Sequence, residues 1–308
     1  MKKTSFTFGS TDHLTTIHGL IWRPDGEAKA VLLIAHGMAE HIARYDEFAR
    51  FLTGHGIAVM GHDHLGHGAS VRSEKEYGFF AEKEGDRILL QDMRKVHLLA
   101  EGLFPNLPVF YLGHSMGSFF VRRYMALYGS SLAGVIISGT GSITLKQASF
   151  VYKLTGSLIK AKGLHGHDSL VDMLVIGQYV VQYGNRKRPG SWLSRNQENV
   201  SEYFADPRCG FTFTLGAYHD FMHLLKDLAR EKGFDTIPRD LPVLMISGME
   251  DPLGGYTKDV LKVYNRFVDL GMEDMNIMLY PDDRHEILNE TDRDVVYGDV
   301  LSWLTEKI

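Results

Sequence analysis

Cysteine is almost absent from this chain, which has only Cys209 among its 308 residues. One cysteine cannot form an internal disulfide, so a disulfide framework is excluded and a reducing compartment is favoured. We interpret Cys209 as a small buried hydrophobic side chain rather than as a nucleophile, because free cysteines are usually buried and inert.

Long apolar runs and long runs of like charge are also missing. A membrane-spanning helix needs about 18 consecutive apolar residues, and no stretch of this sequence provides them. The two lysines near the N-terminus are not followed by an apolar stretch, so we expect no signal peptide and a cytoplasmic protein. The net charge of −5 without a long run of like charge argues against a nucleic-acid partner.

The composition that remains is typical of a globular protein, with 44% apolar and 23% charged residues. Short apolar runs such as residues 30–35 and 133–138 alternate with stretches that have helical spacing. This alternation predicts an α/β fold with a mostly parallel central sheet flanked by helices. Two earlier runs, around Phe6 and at residues 17–22, predict an antiparallel start to that sheet.

The alternation is interrupted between residues 141 and 238, where helical spacing dominates and no clear strand is found. We therefore expect one domain over residues 1–308, with a core of residues 1–140 and 239–308 and an inserted helical cap of residues 141–238. An insertion at this point would cover the carboxyl ends of the strands, where open α/β sheets bind ligands.

The most informative stretch is residues 108–128, which read PVFYLGHSMGSFFVRRYMALY. Residues 109–112 are apolar and long enough for one buried strand, and apolar residues recur at helical spacing after Gly117. Between them stands Gly113-His114-Ser115-Met116-Gly117, the G-x-S-x-G pattern of a nucleophile elbow. Glycines flank the serine because so sharp a turn leaves no room for side chains. The stretch therefore predicts that Ser115 is a nucleophile.

A serine nucleophile needs a histidine to accept its proton and a carboxylate to orient that histidine. In one chain order known for such triads, the serine comes first, the acid second and the histidine last. Asp251 directly follows the apolar run 242–247, and His285 follows the run 276–280. Both therefore lie on loops at strand ends, as a site shared with Ser115 requires.

Glu250 and Asp283 are the competing carboxylates for the place of the acid. We interpret both as solvated loop charges, because Pro252 fixes a turn directly after Asp251. Asp251 is therefore the predicted third member of the triad.

Acyl transfer also requires N–H donors for the negative charge that develops on the substrate oxygen. One predicted donor is the backbone N–H of Met116, the residue after the nucleophile. The other is the backbone N–H of Met38 in the loop after the first long parallel strand. Only the amides of these methionines are required, so their side chains are free to line a binding site.

The chain contains fifteen histidines, and three of them suggest a different chemistry. His62, His64 and His67 have the spacing of an H-x-H-x-D-H dinuclear metal site, which would indicate a metallohydrolase. Gly66 stands where that pattern needs an aspartate, so we favour a tight loop beside the elbow and expect no metal and no cofactor.

With these motifs in place, the sequence resembles the monoacylglycerol lipase/lysophospholipase branch of the α/β-hydrolases, a group also labelled serine-aminopeptidase-like. The resemblance implies an α/β-hydrolase fold, a triad of Ser115, Asp251 and His285, and oxyanion amides at Met38 and Met116. It also implies substrates that are esters of a single long acyl chain. The segment 196–225 is similar to the end of the cap in bacterial members. The matching passages are HGMAEHIARYDEFARFLTGHG (36–56), GHDHLGHGAS (61–70), GHSMGS (113–118), SGMEDPLGG (247–255) and YPDDRHEILNE (280–290).

The resemblance is weaker at two places. Ser118 stands where the family often has glycine, and residues 141–195 match only loosely. A mostly apolar cap suits an acyl chain, since each buried methylene contributes about 0.8 kcal/mol. The predicted lining residues are Phe150, Leu154, Leu158, Tyr179 and Tyr183.

Together these features predict a serine carboxylester hydrolase that acts through an acyl-enzyme on monoacylglycerols, lysophospholipids or similar esters. Transient contact with a membrane surface through the cap face that carries Lys153, Lys160 and Lys162 is a further expectation. The alternatives are an aminopeptidase that uses the same triad, a metallohydrolase and a ligand-binding protein without turnover. An aminopeptidase would need a carboxylate for the substrate amine, for which Glu198, Glu202 and Asp206 are candidates.

Overall fold

A single mixed sheet forms the centre of the computed structural model, which describes residues 1–182 and 189–308. The strands lie side by side in the order β1-β2-β4-β3-β5-β6-β7-β8. They are Lys2–Gly9 (β1), Thr16–Arg23 (β2), Ala30–Ala35 (β3), Ile57–His62 (β4), Val109–His114 (β5), Gly134–Ser138 (β6), Val243–Gly248 (β7) and Met275–Tyr280 (β8).

Helices follow most of the strands along the chain. The α-helices of the described ranges are Asp46–Gly54 (α1), Gly85–Leu103 (α2), Met116–Tyr128 (α3), Leu145–Lys162 (α4), Ser169–Asp172 (α5), Gln178–Gln182 (α6), Gln197–Ala205 (α7), Leu215–Ala229 (α8), Lys258–Asp269 (α9) and Arg293–Glu306 (α10). Among these ranges, no helix combines the length and the apolar character needed to cross a membrane.

Strand directions agree with the sequence pattern. β1 pairs with β2, and β2 with β4, in antiparallel fashion, whereas every pair from β4 to β8 is parallel. The carboxyl ends of β3, β5, β6, β7 and β8 therefore meet at one edge of the sheet. The predicted α/β class and the antiparallel start are both confirmed.

The pleat of the central strands builds two apolar layers. In β3 all six side chains are buried, and alternate residues belong to different clusters: Val31 and Leu33 to one, Leu32 and Ile34 to the other. The first cluster includes side chains from α2, α3, α8 and α9, and the second includes side chains from α1 and α10. A sheet buried on both faces explains why its strands read as continuous apolar runs.

The region between β6 and β7 contains helices α4 to α8 and, in the part that the structure describes, no strand. A capping box starts α4: the Thr144 hydroxyl accepts the Gln147 backbone N–H at 3.2 Å, and the Gln147 side chain accepts the Thr144 N–H at 3.1 Å. Helix α4 packs along α8, and Phe221 of α8 packs edge-on against Phe119 of α3 at 5.7 Å between ring centroids. The insertion is thereby placed beside the helix that follows Ser115.

The elbow at Ser115 is a site of close backbone packing. Ser115 has φ 51° and ψ −120°, a backbone conformation that residues other than glycine rarely adopt. A Cβ on Gly113 would lie 2.5 Å from the carbonyl oxygen of Gly117, and a Cβ on Gly117 would lie 2.1 Å from that of Ala35. Ser118 donates its hydroxyl to the Ser115 carbonyl at 2.6 Å. The steric reason given for the glycines is therefore confirmed.

Replacing Gly117 with alanine should destabilise the protein, because the added methyl group meets the Ala35 carbonyl, which is fixed within the sheet. We expect a loss of about 2 kcal/mol or more in the free energy of unfolding, measured by urea denaturation. The matched control is Gly102→Ala in α2, where a Cβ has nothing within 4 Å. That control should leave stability unchanged or raise it by about 0.5–1 kcal/mol. Equal stability of the two variants would contradict the steric account.

Candidate active site

Three side chains from distant parts of the chain form one hydrogen-bonded line. His285 Nε2 lies 2.8 Å from Ser115 Oγ, and His285 Nδ1 lies 2.9 Å from Asp251 Oδ2. All three residues are buried, with Asp251 and His285 at 0% and 2% exposure. The structure brings together the three residues that the sequence predicted as a triad, in the order that proton transfer requires.

The loops that hold these residues follow three strands of the parallel part of the sheet. Ser115 follows β5, Asp251 follows β7 and His285 follows β8. The last two loops are joined by a backbone hydrogen bond of 2.8 Å from Glu250 N–H to the Asp283 carbonyl. The Asp251 carboxylate also accepts the Leu253 N–H at 2.8 Å. These bonds restrict the orientation of the carboxylate toward His285.

The two competing carboxylates have different environments. Glu250 is exposed, as the sequence interpretation expected. Asp283 is fully buried and paired with Arg195, so its interpretation as a solvated loop charge is wrong. Burial raises the pKa of Asp283 to about 7, with a further contribution from Asp292. Neither carboxylate takes the place of Asp251 beside His285.

The environment of His285 favours its protonated form. Burial alone would lower the pKa of His285, but attraction and hydrogen bonding from the Asp251 carboxylate outweigh it and raise that pKa. The His285 ring is flanked by His114 and Trp192, each with its ring centroid 4.9 Å away. Burial lowers the pKa of His114 to about 3, so His114 is neutral at pH 7 and a poor proton acceptor. Of the two histidines, His285 is therefore the one suited to accept a proton.

Both residues that are predicted to supply oxyanion amides lie close to Ser115. Met38 and Met116 line the same cavity as the Ser115 side chain. Met116 is the first residue of α3, so its N–H is one of the donors that a helix start leaves without an intrahelical acceptor. The loop that carries Met38 reaches the serine closely, since a Cβ on Gly37 would lie 3.1 Å from the Ser115 Cβ.

A mostly apolar cavity of about 380 Å³ opens on Ser115. Residues of the core and of the insertion line it together, among them Phe119, Phe150, Leu174, Tyr179, Phe221 and Leu253. The volume lies in the usual range for a small-molecule site, and the apolar walls suit a hydrocarbon chain.

The residues predicted to bind the substrate are only partly in this cavity. Phe150 and Tyr179 line it. Leu154 and Leu158 do not, because the later turns of α4 pack against the core, where both residues are half-buried. Tyr183 lies outside the described residues.

A second cavity, of about 280 Å³, reaches Ser115 and His285 from another side and is lined in part by Glu40 and Glu286. Sequence reasoning missed this cavity. Arg44 explains how two buried carboxylates coexist here: it forms a bidentate pair with Glu286 at 2.7 and 2.9 Å and contacts Glu40 at 2.8 Å. Burial opposes the charge of Glu286, but Arg44 outweighs it and lowers the pKa of Glu286 to about 2. The sequence signal that could have indicated this cavity is the position of Glu286 directly after His285.

Comparison with known proteins identifies the family of this chain. The family model described as "Serine aminopeptidase, S33" matches residues 26–292. The chain belongs to this family. Among the curated relatives of this S33 member, a monoacylglycerol lipase of Mycolicibacterium smegmatis is 26% identical over 94% of this chain and 92% of its own length. A monoglyceride lipase of Mus musculus is 28% identical over 93% and 86% respectively.

Among solved structures, a thermostable carboxyl esterase from Bacillus coagulans in complex with glycerol is similar over its whole length. Its TM-score is 0.91 with 27% identity, and the alignment covers 99% of each chain. The α/β-hydrolase fold and the family resemblance expected from the motifs are therefore confirmed.

The histidines that suggested a metal site form a buried cluster in this S33 family member. His62, His64 and His67 lie near His36, whose ring centroid is 4.3 Å from that of His64 and 5.1 Å from that of His67. Burial lowers the pKa of His62 to about 3 and that of His67 to about 4, so both are neutral. Among the described residues, these three histidines do not belong to a group whose ligand atoms lie close enough together to share a metal ion.

In the described parts of the chain, the convergent ligand atoms belong instead to His41, Asp206 and Cys209, which lie within 4.8 Å of one another. The Asp206 carboxylate is already paired with Arg208 and His41. Cys209 is buried, as expected, and burial raises the pKa of its thiol to about 12, which makes it a poor nucleophile.

The raised pKa of His285 predicts the pH dependence of the reaction. Only neutral His285 can accept the serine proton, so kcat/KM should fall as the pH decreases through that pKa. We expect a one-proton midpoint above the ordinary value of 6.5, measured with a neutral activated ester.

The control variant for this pH profile is Asp251→Asn. It removes the largest contributions that raise the pKa of His285, and it leaves burial, which lowers that pKa, together with the weaker attraction of Glu286 and Glu40. The midpoint of its residual activity should therefore move to a lower pH than that of the parent protein. An unshifted midpoint would show that Asp251 does not set the protonation of His285.

Proposed function

We propose that this protein is a serine carboxylester hydrolase that cleaves esters of a single acyl chain, of the monoacylglycerol or lysophospholipid type. The observation that supports this most directly is the line Ser115–His285–Asp251 at the end of an apolar cavity. A nucleophile with a paired base, beside a space suited to a hydrocarbon chain, fits ester hydrolysis by acyl transfer.

The proposed reaction has two steps. In the first, His285 takes the proton of Ser115 Oγ as that oxygen attacks the ester carbonyl, and then returns it to the leaving alcohol. In the second, His285 activates a water that hydrolyses the acyl-enzyme. Asp251 holds the imidazole and stabilises its positive charge in both steps. The amides of Met38 and Met116 stabilise the oxyanion.

The substrate class is supported by the two cavities and by the relatives. The larger cavity offers apolar side chains such as Phe119, Phe150 and Phe221 to the acyl chain. The smaller one is also largely apolar, and it adds polar side chains such as Tyr203 and Thr212 that an alcohol group can contact. Two curated relatives are named monoacylglycerol or monoglyceride lipase, and the similar esterase was solved with glycerol bound. In this proposal residues 141–238 act as the cap that closes the acyl cavity.

Amide hydrolysis by the same triad is the alternative function, and the family description names it. It needs a carboxylate near Ser115 that is free to hold an amine. Glu198, Glu202 and Asp206, the candidates from the sequence, line a separate polar cavity that does not include Ser115. Among the described residues, four carboxylates do line a cavity at Ser115: Asp259 in the larger one, and Glu40, Asp172 and Glu286 in the smaller one. Each has a partner within the protein, since Glu40 and Glu286 pair with Arg44, Asp259 pairs with Lys262, and Asp172 accepts the Tyr218 hydroxyl at 2.6 Å. Ester hydrolysis is therefore the function that we favour.

Ser115→Ala should abolish hydrolysis of a p-nitrophenyl ester, because no other group in the proposal attacks the carbonyl. We expect a loss on the order of 10⁶ in kcat, as in comparable triads. The control is Ser157→Ala, which removes an exposed serine of α4 and should leave the rate unchanged. Far-UV circular dichroism of both variants checks the fold, and a rate retained by folded Ser115→Ala would remove the assignment.

The same assay separates the two candidate functions. We expect kcat/KM for acyl esters to exceed that for aminoacyl amides with the same leaving group. The opposite order would favour the peptidase.

Contact of the cap with a lipid surface is also part of the proposal. Exposed apolar side chains occur in α4 to α6 and the π-helical turn between them, including Phe150 at 61%, Leu170 at 56% and Met173 at 48% exposure. The exposed lysines 153, 160 and 162 of α4 lie in the same insertion. Such a combination suits the interface of an anionic bilayer.

Replacing Leu170 and Met173 together with serine should weaken sedimentation with phosphatidylcholine/phosphatidylserine vesicles by several-fold, because two apolar side chains no longer enter the lipid. Hydrolysis of a water-soluble short-chain ester should not change. Leu98→Ser, which removes an equally exposed apolar residue from α2, is the control. If both variants sediment like the parent protein, the insertion is not the membrane-contacting face.

A further inference from the structure

A charged side chain is buried without a carboxylate partner two turns after the candidate nucleophile. Arg122 of α3 is 4% exposed. Within the described residues its hydrogen bonds both leave from Nη1, to Thr140 Oγ1 at 3.3 Å and to the Gly141 carbonyl at 3.0 Å. Its buried Nε has no acceptor there. Buried charges in proteins are normally paired, because an uncompensated one is costly to remove from water.

Arg122 borders a small cavity of about 160 Å³ whose lining is cationic. Lys262 and Arg266 also line this cavity, and no aspartate or glutamate does so among the residues that the structure describes. Burial, and after it the nearby Arg266, lowers the pKa of Arg122 to about 9, which still leaves a full positive charge at neutral pH. The cavity therefore concentrates positive charge without an internal counterion.

The carboxylates that neutralise the other two cations lie outside this lining. Lys262 Nζ pairs with Asp259 at 2.7 Å, and Arg266 pairs with Glu231. Neither carboxylate borders the cavity, and neither is paired with Arg122. Arg122 has the Phe119 ring 5.4 Å away, but within the described part of the protein it has no carboxylate partner.

This cationic cavity adjoins the apolar cavity at Ser115. Phe119, Gly141, Ser142, Ile143 and Leu225 line both of them. Arg122 lies seven residues after Ser115, the residue that directly precedes α3, which corresponds to about 10 Å along the helix axis. An acyl chain of roughly eight carbons spans that distance.

We propose that the cavity at Arg122, Lys262 and Arg266 binds an anionic group, a carboxylate or a phosphate. The group arrives in one of two ways: at the far end of the substrate's acyl chain, or as a free small anion. The first way rests on the function proposed above and makes Arg122 a specificity-determining residue for acyl chains that end in a carboxylate. The second does not depend on hydrolysis.

The guanidinium is suited to this role because its planar fork recognises carboxylates and phosphates through paired hydrogen bonds. The cavity is large enough for several waters, and hence for such a group. A purely structural role, in which Arg122 only fixes the Thr140–Gly141 segment through Nη1, would need neither Lys262 nor Arg266 beside it.

Anion binding is tested first in the Ser115→Ala background, in which turnover is removed. Inorganic phosphate and octanedioate are titrated separately, and affinity is measured by isothermal titration calorimetry. We expect saturable binding of at least one anion, weakened on the order of 10- to 100-fold by Arg122→Met, which removes charge-assisted hydrogen bonds. The matched control is Arg123→Met, which removes the neighbouring arginine of α3 that contacts the Lys232 carbonyl and lies outside the cavity. No binding of either anion, or equal binding by the two variants, would overturn the proposal.

The two sources of the anion are separated by kinetics. Mono-p-nitrophenyl esters of dicarboxylic acids of about six to ten carbons are compared with methyl-terminated esters of equal length. If the acyl chain carries the anion, Arg122→Met lowers kcat/KM on the order of 10- to 100-fold for the carboxylated esters only. If a free anion is the ligand, phosphate binds and the two ester series respond alike.

Lys262→Met keeps the proposal falsifiable should Arg122→Met fail to fold. Lys262 is 68% exposed, so its replacement should not disturb folding. It should weaken the same anion-dependent binding several-fold, and an unchanged affinity would count against the site. Failure of the proposed function can be told apart from failure of the anion site. If the proposed function is wrong, the methyl-terminated esters are not hydrolysed, but anion binding can still be measured.

Discussion

The backbone of Gly248 lies against the loop of His285, and this contact sets the spacing of the candidate active site. A Cβ at Gly248 would come within 2.2 Å of the Asp283 carbonyl and 2.3 Å of the Arg284 carbonyl. The end of β7 and this loop can approach so closely only because Gly248 has no side chain. The short distance between Asp251 and His285 follows from that approach. The position of Ser115 follows from a second close contact, between Gly117 and the end of β3.

The fold was largely predictable because its signals are local. Strands buried on both faces require continuous apolar runs, and helices on a sheet require apolar residues at helical spacing, so both patterns are visible without tertiary information. The positions of Ser115, Asp251 and His285 were predictable for a related reason. Each residue directly follows a recognisable strand, and parallel strands end at the same edge.

Features that depend on long-range packing were not predictable in the same way. Nothing near Asp283 in the sequence indicates that Arg195 of the insertion reaches it, so its burial was missed. Leu154 and Leu158 have the same helical spacing as Phe150. Only the way α4 packs shows that Phe150 lines the cavity, whereas Leu154 and Leu158 pack against the core. The second cavity was missed because it depends on the pairing of Arg44 with Glu286, two residues that lie 242 positions apart in the sequence.

The ion pair of Arg44 has a mechanical consequence for the insertion. The guanidinium binds Glu286 and also the Asn199 side chain of α7, at 2.9 Å, so it ties this part of the insertion to the loop of His285. Separating a buried pair of this kind costs about 3–5 kcal/mol, because one charge is left without compensation. The α7 side of the insertion is therefore fixed to the loop of His285. An opening of the acyl cavity that leaves this ion pair intact would therefore move other parts of the insertion, such as α4 with its exposed Phe150, rather than α7.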